Sequence, residues 1–143
     1  GVGWVVGAAA AGLVFGAVGS RLVGGEESAP SPVVVASTPL DTLDTSTELG
    51  YASVVDRDGG VDLDVHISPL TSEDGYLEVW LINRDLERMV SIGVLSPEQS
   101  DQSFTISPDL IDQGYVIVDI SREGYDDQPQ HSGDSVVRGT LPA

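Results

Sequence analysis

The sequence predicts an all-β fold: an antiparallel β-sandwich of seven to eight strands, immunoglobulin-like or Greek-key in type, preceded by one transmembrane helix. Three observations support this prediction. The chain opens with an apolar segment about as long as the roughly 20 residues that a helix needs to cross a bilayer. Apolar or alternating segments then recur about every 8–15 residues between Gly, Pro and Asp turn signals. Apart from one turn at residues 108–113, the remainder lacks helical periodicity.

The first element is the apolar segment over residues 1–24. Residues 1–19 contain no ionisable side chain, and Arg21 is the one charge before Glu26. A secretory signal is the alternative, but a signal has a basic start and a shorter apolar stretch. We therefore predict a transmembrane helix that is truncated at its start, with Trp4 near the membrane interface.

Small residues form two rows at spacing four along the predicted helix. Such rows let helices approach closely in lipid, so the span allows a homodimer. Small residues are also common in spans generally, and this simpler explanation is favoured. The rows are Gly3, Gly7 and Ala11, and Ala8, Gly12 and Gly16.

A linker is predicted over residues 25–32, because acidic, small and proline residues resist regular structure. Glu26 and Glu27 directly follow the span, whereas cytoplasmic flanks are typically basic. We therefore predict that residues 33–143 form one domain outside the cytoplasm, on a single-pass protein of the cell membrane.

The first four predicted strands cover residues 33–43, 51–55, 61–67 and 76–82. Pro39 cannot donate a ladder hydrogen bond, which favours an edge position for the first strand. Asp58-Gly59 is a hairpin turn signal. Residues 61–67 alternate between apolar and polar side chains, as a half-buried strand does. Residues 76–82 are almost entirely apolar, which predicts a central strand covered on both faces.

Four more predicted strands cover residues 89–95, 102–107, 115–121 and 135–141. Trp80, in the earlier apolar strand, is expected to anchor the sandwich interior. Asp119 lies within an apolar strand, and a buried carboxylate needs partners, which Arg122 or Arg138 could supply. No internal repeat is evident, which argues against a propeller or a solenoid.

The composition excludes several classes of function. The formal charge is −17 over 143 residues, with six Lys and Arg together, all arginine. Such a surface offers little to neutralise phosphates, so no nucleic-acid partner is expected. The chain has no cysteine, which excludes disulfides, thiol chemistry and Cys-ligated metals.

Catalytic chemistry is weakly indicated. His66 lies on the polar side of an alternating strand, where an exposed or satisfied side chain is the ordinary outcome. His131, Asp134 and either Ser132 or Ser135 contain the residue types of a nucleophilic triad. Triad members normally come from separate segments, and the G-x-S-x-G elbow is absent. We therefore predict no catalytic residue and no enzyme activity.

Metal binding is also weakly indicated. Asp56, Asp58 and Asp62 resemble the start of a calcium loop, but the glutamate that completes an EF-hand loop is missing. A hairpin turn explains the same residues. Solvated loops are favoured, so we predict no metal or cofactor site, although weak calcium binding stays an open alternative. The same interpretation applies to a second group of acidic residues considered for calcium, Asp126, Asp127 and Asp134.

Four segments together resemble the C-terminal domain of the anti-sigma-K factor family. They are GYLEVWLI at residues 75–82, MVSIGVL at 89–95, YVIVDIS at 115–121 and HSGDSVVRGTL at 131–141. The resemblance implies a single-span membrane protein with a β-sandwich outside the membrane. A sigma factor would bind a cytoplasmic N-terminal segment that these residues do not include.

The resemblance further implies release of the sigma factor by two proteases, one acting outside the membrane and one within it. The outer cut is expected within residues 24–39, where exposed backbone would suit a protease. The Gly-rich span would unwind readily for the inner cut. The alternative function is a membrane-tethered β-sandwich that binds a protein or a glycan, for example in adhesion.

Overall fold

The computed structural model describes residues 31–70 and 74–143, and within them the chain forms eight antiparallel strands and one short helix. The elements are β1 (Val33–Thr42), β2 (Glu48–Arg57), β3 (Gly60–Ile67), β4 (Gly75–Asn83), β5 (Met89–Leu95), β6 (Asp101–Ile106), α1 (Pro108–Asp112), β7 (Tyr115–Gly124) and β8 (Ser135–Thr140). The all-β prediction and its eight strand segments are confirmed. The predicted span, with Trp4 and its rows of small residues, lies outside the described residues.

The strands follow the order β5-β4-β7-β8-β1-β2-β3-β6 in a nearly closed, barrel-like sheet. Its two edge strands approach each other where Gly93 of β5 faces Phe104 of β6. A Cβ atom at Gly93 would lie 2.8 Å from the Phe104 ring, so a larger residue at this position would require the ring to shift. Because the β1–β8 pairing is confined to Asp41 and Thr42, a sandwich of two packed sheets stays a prediction.

Two local predictions are confirmed. The β2–β3 hairpin turns through Asp58 and Gly59, with Gly59 at a φ of 94° and Arg57 paired to Gly60. The predicted turn at residues 108–113 is α1, where the hydroxyl of Ser107 accepts a hydrogen bond from the backbone N–H of Asp109 at 3.3 Å.

The predicted edge position of β1 is wrong, because β1 lies between β2 and β8. Pro39 pairs with Tyr51 of β2, and the ladder to β8 begins only at Asp41. Pro39 therefore lies where β1 has no β8 partner in the ladder, so its missing N–H is tolerated. The strand also begins at Val33, which places part of the predicted outer-cut region, residues 24–39, within the sheet.

The main core is formed by the inward side chains of the strands. Those with no exposed surface include Leu40, Leu63, Leu81 and Ile120. β4 is buried on both faces, as predicted: Val79 and Leu81 join the main core, whereas Trp80 and Ile82 point to the other side. Trp80 is thus buried, but in a second cluster with Ile82 and Ile117 rather than in the main core.

Within residues 31–70 and 74–143, no helix combines the length and the apolar character needed to cross a membrane.

Candidate functional site

Polar side chains are buried along β7, on the face of the sheet that points away from the main core. Val116, Val118 and Ile120 of β7 pack into that core. Because side chains alternate along a strand, Asp119 and Ser121 lie on the opposite face. Neither has exposed surface, because residues 125–134, here called the cover loop, fold back over this outer face.

The carboxylate of Asp119 is the centre of the buried polar group. Its Oδ1 accepts a hydrogen bond from Nε2 of His131 at 2.7 Å. Its Oδ2 accepts from the hydroxyl of Ser135 at 2.6 Å and from Nε of Arg138 at 2.8 Å. A buried carboxylate is tolerated when it is both paired and hydrogen-bonded, as it is here. We call Asp119, His131, Ser135 and Arg138 the Asp119 cluster.

One of the two predicted partners of Asp119 is confirmed. Arg138, on the adjacent strand, forms the ion pair at 2.8 Å. The guanidinium of Arg122 instead lies 3.5 Å from Asp134, because Arg122 points away from the buried row. The contact from His131 was not predicted from sequence. No local sequence pattern signals this contact, because it depends on the cover loop returning across β7.

His131 is a neutral ring protonated at Nε2. Its Nδ1 accepts a hydrogen bond from the backbone N–H of Gly133 at 2.8 Å, and a backbone N–H can only donate. The proton therefore lies on Nε2 and is donated to Asp119. Gly133 has a φ of 86°, a backbone conformation that residues other than glycine rarely adopt. The ring also packs against Trp80, with ring centroids 5.0 Å apart.

A second chain of hydrogen bonds runs beside the Asp119 cluster. Nε1 of Trp80 donates to the hydroxyl of Ser121 at 2.9 Å, and that hydroxyl donates to the carboxylate of Glu123. Glu123, only 5% exposed, also accepts from the backbone N–H of Ser132 at 3.1 Å. The cover loop is thus joined to two carboxylates of β7, to Asp119 through His131 and to Glu123 through Ser132.

The remaining residues of the H-S-G-D-S segment close the turn into β8. The hydroxyl of Ser132 donates to the carbonyl oxygen of Arg122 at 2.6 Å and accepts from the N–H of Asp134 at 3.0 Å. The N–H of Arg122 donates to the carbonyl oxygen of Asp134 at 2.9 Å. His131, Ser132 and Asp134 therefore hold the cover loop against β7.

The geometry does not form a nucleophilic triad. In a triad the histidine lies between the nucleophile and the acid, so that it can take the proton of the nucleophile. Here Asp119 lies between His131 and Ser135, and Ser135 donates directly to the carboxylate. The hydroxyl of Ser132 donates to a backbone oxygen. The contacts fix the position of the loop without activating either serine.

The other histidine lies on the opposite half of the sheet. Nδ1 of His66 lies 2.6 Å from Oδ1 of Asp101, and both side chains are exposed. The ring stacks on Tyr51, with centroids 5.0 Å apart and planes at 22°. The pair is a surface interaction between adjacent strands, with ample contact with water.

Three of the acidic residues considered for metal binding, Asp62, Asp126 and Asp134, have other partners. Asp58 lies in the β2–β3 turn, and Asp62 pairs with Arg57 at 2.9 Å. Oδ1 of Asp126 accepts from the N–H of Gln128 at 3.0 Å. Within the described parts of the chain, no group of three or more His, Cys, Asp or Glu side chains could hold a metal ion.

The loop between β4 and β5, residues 84–88, is held by one carboxylate. Oδ1 of Asp85 accepts from the N–H groups of Glu87 at 2.8 Å and Arg88 at 3.0 Å, and Oδ2 accepts from Nε of Arg88 at 2.7 Å. The N–H of Glu87, followed by the side chain of Arg88, lowers the pKa of Asp85 to about 2. The loop is therefore ordered by an ionised aspartate.

A groove of about 240 Å³ lies between this loop and the Asp119 cluster. Its apolar side is formed by Ile82, Leu86 and Met89, and its polar side by residues of the cover loop and β8. The full lining is Ile82, Leu86, Met89, His131, Gly133, Ser135 and Arg138.

Residues 4–135 match the family described as "Anti-sigma-K factor rskA, C-terminal". The chain belongs to the anti-sigma-K factor C-terminal family. No curated protein and no solved structure gives a significant match. The family confirms the resemblance drawn from the four sequence segments, and anti-sigma factors are regulatory proteins whose general partner is a sigma factor.

The family match places the Asp119 cluster near one end of the anti-sigma-K C-terminal region. The match includes Asp119, the cover loop and Ser135, and it ends three residues before Arg138. The H-S-G-D-S segment that carried part of the resemblance therefore has a structural role in this anti-sigma-K domain, since it seals the outer face of β4 and β7.

Proposed function

We propose that residues 33–143 form the non-enzymatic, extracytoplasmic domain of a single-span membrane anti-sigma factor, with residues 1–24 as the span and 25–32 as the linker. In this proposal a cytoplasmic segment before Gly1 in the parent protein holds a sigma factor inactive. The observation that carries the proposal is the family match, which runs from residue 4 through the predicted span and most of the β-domain.

The proposed role of the domain is to act as a sensor or shield that controls an outer proteolytic cut. Val33 pairs with Asp56 and Val34 with Val55, so the backbone from Val33 onward is held in the ladder. Proteases act on exposed and unpaired backbone. We therefore place the outer cut before Val33, within residues 24–32, and a second cut within the Gly-rich span would release the sigma factor.

The first test is a pull-down of the full-length parent protein from detergent, followed by mass spectrometry. The proposal expects a sigma factor that is lost when the residues before Gly1 are deleted. Recovery of envelope proteins without a sigma factor would contradict the proposal and favour the membrane-tethered binding module for a protein or a glycan.

The second test is the topology of the parent protein, and it uses the absence of cysteine from these 143 residues. A single cysteine at exposed Glu98, introduced as Glu98→Cys, should react in intact cells with a membrane-impermeant maleimide. The buried variant Ala52→Cys is the matched control and should react only after unfolding. Labelling of Glu98→Cys only after lysis would place the domain in the cytoplasm and refute its proposed location.

The third test addresses the inner cut. Replacing Gly12 and Gly16 with leucine raises helix propensity within the proposed span, and cleavage there should slow. Immunoblotting of the released fragment would measure the rate. Unchanged processing would show that the glycines have no part in intramembrane proteolysis.

A further inference from the structure

An exposed leucine is held in a fixed position beside the groove. Leu86 is 62% exposed, and its φ of 63° lies in the left-handed region, which is uncommon for a bulky residue. Its N–H donates to the carbonyl oxygen of Asn83 at 2.8 Å, and the three bonds to Asp85 fix the residues that follow. The loop therefore presents an apolar side chain to solvent in one defined conformation.

The groove next to Leu86 differs in charge from the rest of the molecule. None of its seven lining residues carries a carboxylate, although the chain has 23 Asp and Glu and a formal charge of −17. Two other grooves on the described surface include Asp41 in one and Asp64 with Asp101 in the other. Two copies of so acidic a chain would repel each other least where carboxylates are absent.

The loop and the groove are complementary in apolar character and in charge. The loop carries an apolar knob, Leu86, followed by the carboxylate of exposed Glu87. The groove offers an apolar side at Ile82 and Met89 and a partly exposed guanidinium at Arg138. Since the knob and the groove are adjacent on one chain, a two-fold axis between two copies can satisfy both at once.

We propose that the outer face around Leu86 is a homodimer interface, in which the loop of each copy inserts Leu86 into the groove of the other copy. Glu87 of one copy then faces Arg138 of the partner copy. The interface does not depend on the membrane topology or the regulatory function proposed above. Each copy contributes one short loop and one groove of about 240 Å³, so association should be weak in solution.

The test is disulfide cross-linking of the full chain in detergent, with a single cysteine introduced as Leu86→Cys. Val35 is the matched control, because it is 63% exposed and lies in β1, away from the groove. Mild oxidation should convert Leu86→Cys to a covalent dimer at least tenfold faster than Val35→Cys. Equal rates, or no dimer from Leu86→Cys, would overturn the proposal.

A second experiment detects a dimer that forms through another surface. Sedimentation of the full chain should show a concentration-dependent dimer that Leu86→Asp weakens at least tenfold and Val35→Asp leaves unchanged. Glu87→Arg should also weaken it, because two guanidinium groups would then face each other. A dimer that survives Leu86→Asp would show that the contact lies elsewhere, for example in the predicted span, and would refute this interface.

Discussion

Replacing Asp119 with asparagine tests whether the buried cluster stabilises the domain. Asparagine keeps the size of the side chain and one acceptor oxygen, but it removes the negative charge and introduces an NH₂ group. That NH₂ would face either the Nε2 proton of His131 or the donors of Ser135 and Arg138. The substitution therefore breaks part of a buried network without creating a cavity.

The expected loss follows from the number of bonds. Asp119 accepts from three side chains, and an asparagine oxygen can retain the bonds on one side only. Hydrogen bonds to a charged group contribute roughly 1.5–3 kcal/mol each, and breaking a buried pair costs about 3–5 kcal/mol. We expect a loss of about 3 kcal/mol, a substantial part of the 5–15 kcal/mol that is typical of a domain.

The assay is urea unfolding followed by the fluorescence of Trp80, which packs on His131. The chain has two tryptophans, so the measurement uses a Trp4→Phe background. With a slope of about 2 kcal/mol per molar urea, the midpoint should fall by about 1.5 M.

The matched control is Asp101→Asn, because the His66–Asp101 pair has nearly the same length, 2.6 Å against 2.7 Å, but lies at the surface. Exposed ion pairs contribute roughly 0–1 kcal/mol, so this variant should lose less than about 1 kcal/mol. Equal losses in the two variants would refute the reasoning, because burial would then not distinguish the two pairs.

Three further predictions concern backbone approach and loop order. Gly139→Ala would place its Cβ 2.1 Å from the carbonyl oxygen of Pro39, so thermal unfolding should show a loss of more than about 2 kcal/mol. Gly93→Ala meets only the Phe104 ring, so its loss should be smaller and should diminish in a Phe104→Leu background. Asp85 has a folded pKa of about 2 against 3.8 unfolded, so its contribution is complete above pH 3.8 and is lost as pH falls through about 2. The protection of the loop amides from hydrogen exchange, relative to the intrinsic rate at each pH, should fall over that range in the native chain but not in Asp85→Asn.

The strands could be predicted from sequence because their signals are local. The alternation over residues 61–67 and the Asp58-Gly59 turn each depend on neighbouring residues alone. The position of β1 in the sheet could not be predicted in this way. Pro39 lacks a backbone N–H and so cannot donate a hydrogen bond to a neighbouring strand. Whether β8 pairs with β1 at Pro39 depends on where the β1–β8 ladder begins, which the local sequence does not show.

The buried cluster was only partly predictable for the same reason. An aspartate within an apolar strand indicated a buried charge and a nearby arginine, which Arg138 provides. The contact from His131 depends on the cover loop returning across β7, which no local pattern encodes. Burial of β4 on both faces could be predicted, but an apolar run does not show which side of the strand Trp80 occupies.

The order of the strands also constrains how the chain folds. The β1–β8 pairing, which includes only two residues of β1, divides the sheet into the groups β5-β4-β7-β8 and β1-β2-β3-β6. The chain passes between these two groups three times. Neither group consists of consecutive strands, so the first is complete only when β8 is added, and the second waits for β6. Pairings between segments distant in sequence slow folding. A chain emerging during synthesis therefore has no complete group until β6 arrives and lacks the other group until β8, its last strand, and it needs protection from aggregation until then.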